Sequence, residues 1–269
     1  MTIRVGVLGA AGRMGITVCE AVAADPDLSL VAAFDTNQPT LADAVSVPVT
    51  DSLDAFVGAE PDVAVDFTVA AAARANLPQL AAVGVHAVVG TTGFDDDDMA
   101  SFRSAFAPRE SSTKSATSAT SANCLIAANF AISAVLTMRF AELAAPLFDS
   151  VEVIELHHEN KIDAPSGTAV ATAERIAGAS QEWIDDPTEH EVYPGARGGL
   201  GPAGVRVHSV RMKGMVAHQE VIFGALGQSL TIRQDSYDRT SFMPGVLLAC
   251  KRIADHPGVT LGLESLLDI

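Results

Sequence analysis

The stretch Thr2–Gly15 reads TIRVGVLGAAGRMG. Its first half, Thr2–Leu8, is a short apolar run with β-branched residues, which predicts a strand. The run passes straight into Gly9-Ala10-Ala11-Gly12-Arg13-Met14-Gly15 and then into a helical pattern through Ala24. Each glycine has its own steric task. Gly9 permits a tight turn, Gly12 lets a pyrophosphate approach the backbone, and Gly15 lets helix and strand pack closely. A strand, a G-x-x-G-x-x-G turn and a helix, in that order, predict the phosphate corner of a dinucleotide-binding fold. The candidate contacts are Gly9, Ala10, Ala11, Gly12, Arg13 and Met14. Arg13 is either a cation beside the phosphates or a solvated surface residue.

Leu28–Phe34 (LSLVAAF) predicts the second strand, ending at Asp35, 20 residues beyond Gly15. An acidic side chain there would accept hydrogen bonds from the adenosine ribose hydroxyls. Thr36 follows, with no arginine adjacent to hold a 2′-phosphate. On charge this favours NADH over NADPH, although Arg13 could partly neutralise a 2′-phosphate. Pro39–Asp54 predicts a connection with a small edge strand, Val45–Val49, and the start of a helix. Asp62–Phe67 and His86–Val89 predict further strands, with an Ala-rich helix, Ala70–Val83, between them. The second of these strands ends in Gly90-Thr91-Thr92-Gly93, small residues that would let a loop touch a flat ring. The acidic run Asp95–Asp98 predicts the first turn of a helix, where it suits the helix dipole. Eight of the eleven residues Ser111–Ser121 are Ser or Thr, which predicts a flexible surface loop. Cys124–Ala127 predicts a fifth strand running into Ala128-Asn129-Phe130. Asn129 would either hydrogen-bond a cofactor carboxamide or cap the helix Ala131–Ala145.

The second reactive stretch is Glu152–Ala169, EVIELHHENKIDAPSGTA. It opens as an apolar strand and then collects His157, His158, Glu159 and Lys161, which a fold alone does not need. Pro165 stands near a helix start, where its missing N–H costs little. The amides of Ser166, Gly167 and Thr168 would then point outward from a helix N-terminus, an anion site. A proton-transfer group, a cation and an anion cradle suggest a small acidic substrate that is reduced or protonated. The ordinary readings are an exposed histidine pair and a plain helix cap.

The run HHENKIDAPSGTA resembles the signature of bacterial 4-hydroxy-tetrahydrodipicolinate reductases, and the resemblance extends over nearly the whole chain. It implies hydride transfer from NAD(P)H to the dehydrated, imine-conjugated form of 4-hydroxy-tetrahydrodipicolinate in lysine biosynthesis. It also carries Gly90, Thr91 and Thr92 across as nicotinamide contacts, and Ala127, Ala128, Asn129 and Phe130 as a cofactor loop. In the same family reading Lys161 is the proton donor and His157 the general acid/base. His158, Gly167 and Thr168 then hold the substrate carboxylates, and closure of two lobes excludes water. Relatives of this kind are tetramers.

The chain has 269 residues, of which 48% are apolar, enough for a full core in two lobes. The expected fold class is α/β. A Rossmann-like parallel-sheet domain spans 1–128 and is completed by 241–269. A substrate-binding and oligomerisation domain, α+β with a mostly antiparallel open sheet, spans 129–240. Its later strands are expected at Val205–Arg211, Glu220–Ala225 and Ser229–Arg233, followed by a helix Met243–Ile253. His218, Gln219 and Glu220 read as structural. An open sheet exposes one face unless it pairs with copies of itself, so a homo-oligomer is expected. The formal net charge of −16 argues against nucleic acid or an anionic membrane as partner. An anionic substrate, a cyclic dicarboxylate in the family reading, then needs a locally basic pocket. Cys19, Cys124 and Cys250 lie at no metal spacing and read as reduced thiols. With no signal peptide and no apolar run of about 18 residues, a cytoplasmic location is expected. Two rivals stand beside the reductase: a non-catalytic NAD(H)-binding sensor or scaffold, and a metal hydrolase using His157, His158 and Glu159. Adjacent strand residues face opposite sides, which argues against the second rival, and no metal is expected.

Overall fold

The computed structural model describes residues 2–37, 47–108 and 121–269. In chain order these form β1 (Ile3–Leu8), α1 (Arg13–Ala24), β2 (Leu28–Phe34), β3 (Val49–Thr50), α2 (Leu53–Gly58), β4 (Val63–Asp66), α3 (Ala70–Ala82), β5 (His86–Val89), α4 (Asp96–Ala105) and β6 (Cys124–Ile126). There follow α5 (Ile132–Ala144), β7 (Ser150–His157), α6 (Gly167–Ala179), β8 (Gly199–Leu200), β9 (Arg206–Arg211), β10 (Ala217–Ala225), β11 (Gln228–Ser236), α7 (Met243–Arg252) and β12 (Val259–Leu261). The chain divides into two compact units, Met1–Phe130 with Phe242–Ile269, and Ala131–Ser241.

The first unit is built on a seven-stranded parallel sheet of order β12-β6-β5-β4-β1-β2-β3. Strand β4 is buried along its whole length, as a parallel strand covered on both faces must be. Helix α1 buries Gly15, Val18, Cys19 and Val22, one stripe at helical spacing. Burying each such Val side chain stabilises the fold by about 1.5–3 kcal/mol. The acidic run serves the helix start: Asp95 caps α4, and its side chain and that of Asp98 bond each other's backbone amides.

The second unit holds a five-stranded sheet of order β11-β10-β7-β9-β8. Three neighbour pairs are antiparallel and one, β7 with β9, is parallel. The sheet is therefore mostly antiparallel, as expected, with one parallel pair at its centre. Strands β10 and β11 form a hairpin closed by Leu226 and Gly227, and Gly227 takes the positive φ of +76° that such a turn requires. Helix α6 lays Ala169, Thr172, Ala173 and Ile176 inward.

Several boundaries differ from expectation. Of the expected edge strand Val45–Val49, Val45 and Ser46 lie outside the described residues; Val47 and Pro48, the latter unable to donate to a ladder, are not in a strand, and β3 begins at Val49. The hairpin strands are longer than expected because their pairing runs from Ala217↔Ser236 to Ala225↔Gln228. Strands β8 and β12 were not expected, since two and three residues carry no periodicity. The Ser/Thr run lies outside the described residues except for Ser121. Among the described residues no helix is long and apolar enough to cross a membrane.

Candidate active site

In the first unit the candidate cofactor residues gather at the carboxyl ends of the parallel strands. Gly9 ends β1 with φ +78°, a conformation that favours glycine. A Cβ on Gly15 would stand 2.0 Å from the Gly9 carbonyl oxygen, so the turn and α1 can close only without a side chain there. Gly12 is the N-cap of α1 and is exposed. The amides of Arg13 and Met14 precede the first intrahelical bond, from Ile16 N–H to the Gly12 carbonyl. An exposed glycine at a helix N-terminus, followed by an exposed Arg13, fits a pyrophosphate. Gly9 and Ala10 do something else: both amides donate to the Phe34 carbonyl, at 2.9 and 3.0 Å, and tie the turn to β2. Ala10 is fully buried.

Asp35 follows β2 and accepts from Ala11 N–H at 2.9 Å through Oδ2 and from Asn37 N–H at 2.9 Å through Oδ1. It therefore braces the glycine turn in addition to any contact with a ribose.

The loop after β5 is fastened from below. Thr91 is buried and donates its hydroxyl to Asp66 at 2.8 Å. The same Asp66 oxygen accepts from the Thr68 amide at 2.9 Å and hydroxyl at 2.7 Å. Burial pushes the Asp66 carboxyl above its usual range, against these bonds. The Thr91 side chain is thus committed to the fold, and Thr92 is the exposed residue of the pair. Gly90 is also explained from within: a Cβ there would meet the Phe67 ring at 2.1 Å. The Gly90 backbone thus lies close against the Phe67 ring. Ala127 and Phe130 are buried, while Ala128 is exposed. The N-cap position of α5 is Ala131, two residues beyond Asn129.

In the second unit His157 is the last residue of β7, and His158, past the strand end, is exposed. The His157 Nδ1 lies 2.5 Å from Oε2 of Glu155, a carboxylate with no exposed surface. Arg211 grips both Glu155 oxygens, at 2.7 and 2.8 Å, and donates to the Asp163 carbonyl at 2.7 Å. Glu155 Oε1 also accepts the Ser166 amide at 3.2 Å. Burial raises the Glu155 carboxyl, but bonds from Arg211, Ser209 and His157 outweigh it and hold the group below its ordinary range. Burial pulls the His157 imidazole down; Lys161 and Arg211 add to this, and Glu155 opposes it without prevailing.

Lys161 turns back after β7, its amide bonded to the His158 carbonyl at 3.2 Å, and its ammonium meets Asp163 at 2.8 and 2.9 Å. Helix α6 begins at the exposed Gly167, with Ser166 as its cap accepting from Ala169 N–H at 3.2 Å. One expectation changes here. Pro165 stands just before the cap, near the helix start as expected; the Ser166 amide, expected to point outward with those of Gly167 and Thr168, faces Glu155 instead. Gly167 and Thr168 remain the candidate anion donors.

Sequence reading missed Glu155 and Arg211. The signal was present: Glu155 is in phase with Val151 and Val153, the buried face of β7. His218, Gln219 and Glu220, read as structural from the sequence, each bond another side chain of the second unit. They bond Asp235 at 2.7 Å, Thr172 at 2.8 Å and Arg233 respectively. Among the described residues no group of three His, Cys, Asp or Glu side chains is arranged to hold a metal ion.

Comparison with known proteins bears on these two sites. A family model described as the N-terminus of dihydrodipicolinate reductase matches residues 3–130, and one described as its C-terminus matches residues 133–267. The chain is 53% identical over 273 residues, covering all of both proteins, to a 4-hydroxy-tetrahydrodipicolinate reductase of Corynebacterium aurimucosum. It is 50% identical, again over the full length of both, to the enzyme of that name from Corynebacterium diphtheriae. Among solved structures it resembles a dipicolinate-bound dihydrodipicolinate reductase from Paenisporosarcina sp. TG-14. That match has a TM-score of 0.85 and 35% identity, and covers 98% of this chain and 99% of that one.

Proposed function

The chain belongs to the dihydrodipicolinate reductase family, and from that premise we infer an oxidoreductase that reduces 4-hydroxy-tetrahydrodipicolinate to tetrahydrodipicolinate with NAD(P)H. The step belongs to diaminopimelate and lysine biosynthesis. Dipicolinate, bound to the Paenisporosarcina relative, is a flat ring carrying two carboxylates, the substrate class in question. The observation that carries the reading is one connected network: Glu155 bonds His157 and Ser166, Arg211 joins Glu155 to the Asp163 carbonyl, and the Asp163 carboxylate holds Lys161. An imidazole, an ammonium and a helix N-terminus are thereby tied into a single framework.

The nicotinamide, when bound, supplies the hydride. Gly12, Arg13 and Met14 bind the pyrophosphate, with Gly9, Ala10 and Ala11 shaping the turn. Asp35 reads the ribose, and its charge favours NADH over a 2′-phosphorylated cofactor. Thr92 and the backbone of Gly90, Thr91 and the Ala127–Phe130 loop orient the ring. Gly167, Thr168 and His158 hold the substrate carboxylates. Lys161 supplies the proton, and His157 acts as general acid/base. The half-exposed face of the second sheet, with Ile154, Leu156 and Ile222, supports a homo-oligomer, with a tetramer expected.

A non-catalytic sensor would not need His157, Lys161 and the PSGT run together. The deciding experiment is NADH oxidation in the presence of the aldol-condensing enzyme that makes the substrate. Oxidation that depends on both proteins supports the reductase. Cofactor binding without oxidation in that mixture would leave the sensor reading.

A further inference from the structure

Glu155 is a buried carboxylate in the middle of the network, and its bonding has a consequence for the imidazole beside it. Arg211 donates to both of its oxygens and the Ser166 amide to Oε1, so the group is ionised and has no proton to give. The remaining contact, between Oε2 and His157 Nδ1 at 2.5 Å, must then take its hydrogen from the histidine. We propose that Glu155, clamped by Arg211, is a positioning residue that holds His157 in the Nδ1–H tautomer and makes Nε2 its reacting nitrogen. This rests on the reductase reading for its catalytic meaning, but not for its geometry.

Several features support it. Glu155 and His157 are two residues apart on β7 and so lie on one face, which fixes the ring without a loop. The ring nitrogens point in different directions, so with Nδ1 engaged Nε2 turns away from Glu155, and 16% of the His157 side chain stays exposed. The charged groups facing the imidazole are Glu155, Arg211 and Lys161, with Asp163 behind Lys161. Burial and the two cations keep the ring neutral at neutral pH, so Nε2 carries a lone pair there. The same carboxylate fixes the start of α6 through Ser166, so base and anion site share one anchor.

Glu155→Gln is the discriminating variant. A glutamine NH2 at the Oε1 position would face two donors, Arg211 and the Ser166 amide. At the Oε2 position it faces Arg211 and His157, and only the histidine can present a lone pair by moving its proton to Nε2. E155Q should therefore invert the neutral tautomer.

The test is 15N NMR of the full-length protein labelled at histidine, with the His157 signal assigned by its loss in His157→Asn. The wild type is expected to show Nδ1 protonated and Nε2 bare. E155Q is expected to show the reverse, with kcat falling about a hundredfold or more, the scale of lost acid–base catalysis, and NADH affinity unchanged. Loss of the anionic partner should also move the acid limb of kcat/KM to lower pH. A wild type with Nε2–H at neutral pH overturns the proposal even if E155Q fails to fold. An E155Q with the wild-type tautomer and kcat overturns it as well. The NMR readout needs no substrate, so an absence of reductase activity would sink the functional reading while leaving the tautomer measured.

Discussion

The Thr91 hydroxyl donates to the fully buried carboxyl of Asp66 at 2.8 Å and, with the Gly90 amide on the Asp66 carbonyl at 2.8 Å, joins the loop after β5 to the end of β4. The Asp66 Oδ1 carries three donors and Oδ2 has no partner. Removing the acceptor with Asp66→Ala leaves those donors unmet, at about 1–3 kcal/mol for each that stays buried. D66A should melt several degrees lower and bind NADH more weakly, read by calorimetry and fluorescence titration. Asp66→Asn keeps the acceptor and isolates the charge. Burial raises the folded carboxyl above its ordinary 3.8, so folding takes up a proton and the wild type loses stability as pH rises above that value. Asn has no such titration. The Tm of D66N minus that of the wild type should therefore climb between pH 4 and pH 7, and a flat difference would refute the buried charge.

Gly15 and Gly12 separate folding from binding within a single turn. A Cβ at Gly15 would lie 2.0 Å from the Gly9 carbonyl oxygen, a backbone atom that cannot swing aside. Gly15→Ala should destabilise by about 1–3 kcal/mol or more, as overpacking does. A Cβ at the exposed Gly12 would meet only that same oxygen, at 3.2 Å. Gly12→Ala should fold nearly normally yet lose cofactor affinity, because the methyl stands where a phosphate would approach. Equal losses of Tm in both variants would contradict this division.

What could be read from the sequence followed local chemistry. The strand–turn–helix of Ile3–Ala24 was legible because glycine spacing reports backbone shape directly. Strand β5 was legible because a short apolar run stood between turn residues. Strand β12 was not, since Val259–Leu261 is a strand only by pairing with Cys124–Ile126 across the sheet. His157 and Lys161 stood out as reactive types in a cluster. Glu155 did not, because an acid in a strand passes for a solvent-facing residue until its phase with Val151 and Val153 is counted. The fold contacts of Thr91 and Gly90 went unread for a related reason. Their partners, Asp66 and Phe67, are distant in the chain, and nothing local reports them.

Asp35 gives the cofactor prediction. Its two oxygens brace Ala11 and Asn37, which fixes a negative charge beside the glycine turn. A 2′-phosphate brought there would meet like charge, so kcat/KM should be higher for NADH than for NADPH. Asp35→Ser should narrow the ratio, and it should weaken both cofactors because the brace on Ala11 shortens. A wild type that strongly prefers NADPH would refute this use of Asp35.

Lys161 is the most direct test of the chemistry. Its ammonium is held by Asp163, and both groups keep contact with solvent, their side chains 21% and 55% exposed. A pair so placed adds little to stability, so Lys161→Ala should melt close to the wild type. The residue lies in the second unit and the glycine turn in the first, so NADH affinity should also survive. Turnover should not. Loss of a positioned proton donor costs about a hundredfold to ten-thousandfold in general acid–base catalysis. If Lys161 also steadies a substrate carboxylate, KM should rise together with the fall in kcat. Asp163→Asn separates the two roles, because it frees the ammonium without removing it. The carbonyl that Arg211 uses belongs to the Asp163 backbone, so the clamp on Glu155 is untouched. D163N should therefore keep most of kcat, and steady-state kinetics on both variants decides the matter. Near-wild-type turnover in K161A would remove Lys161 from the reaction, and equal losses in K161A and D163N would show that the ion pair, not the proton, was needed.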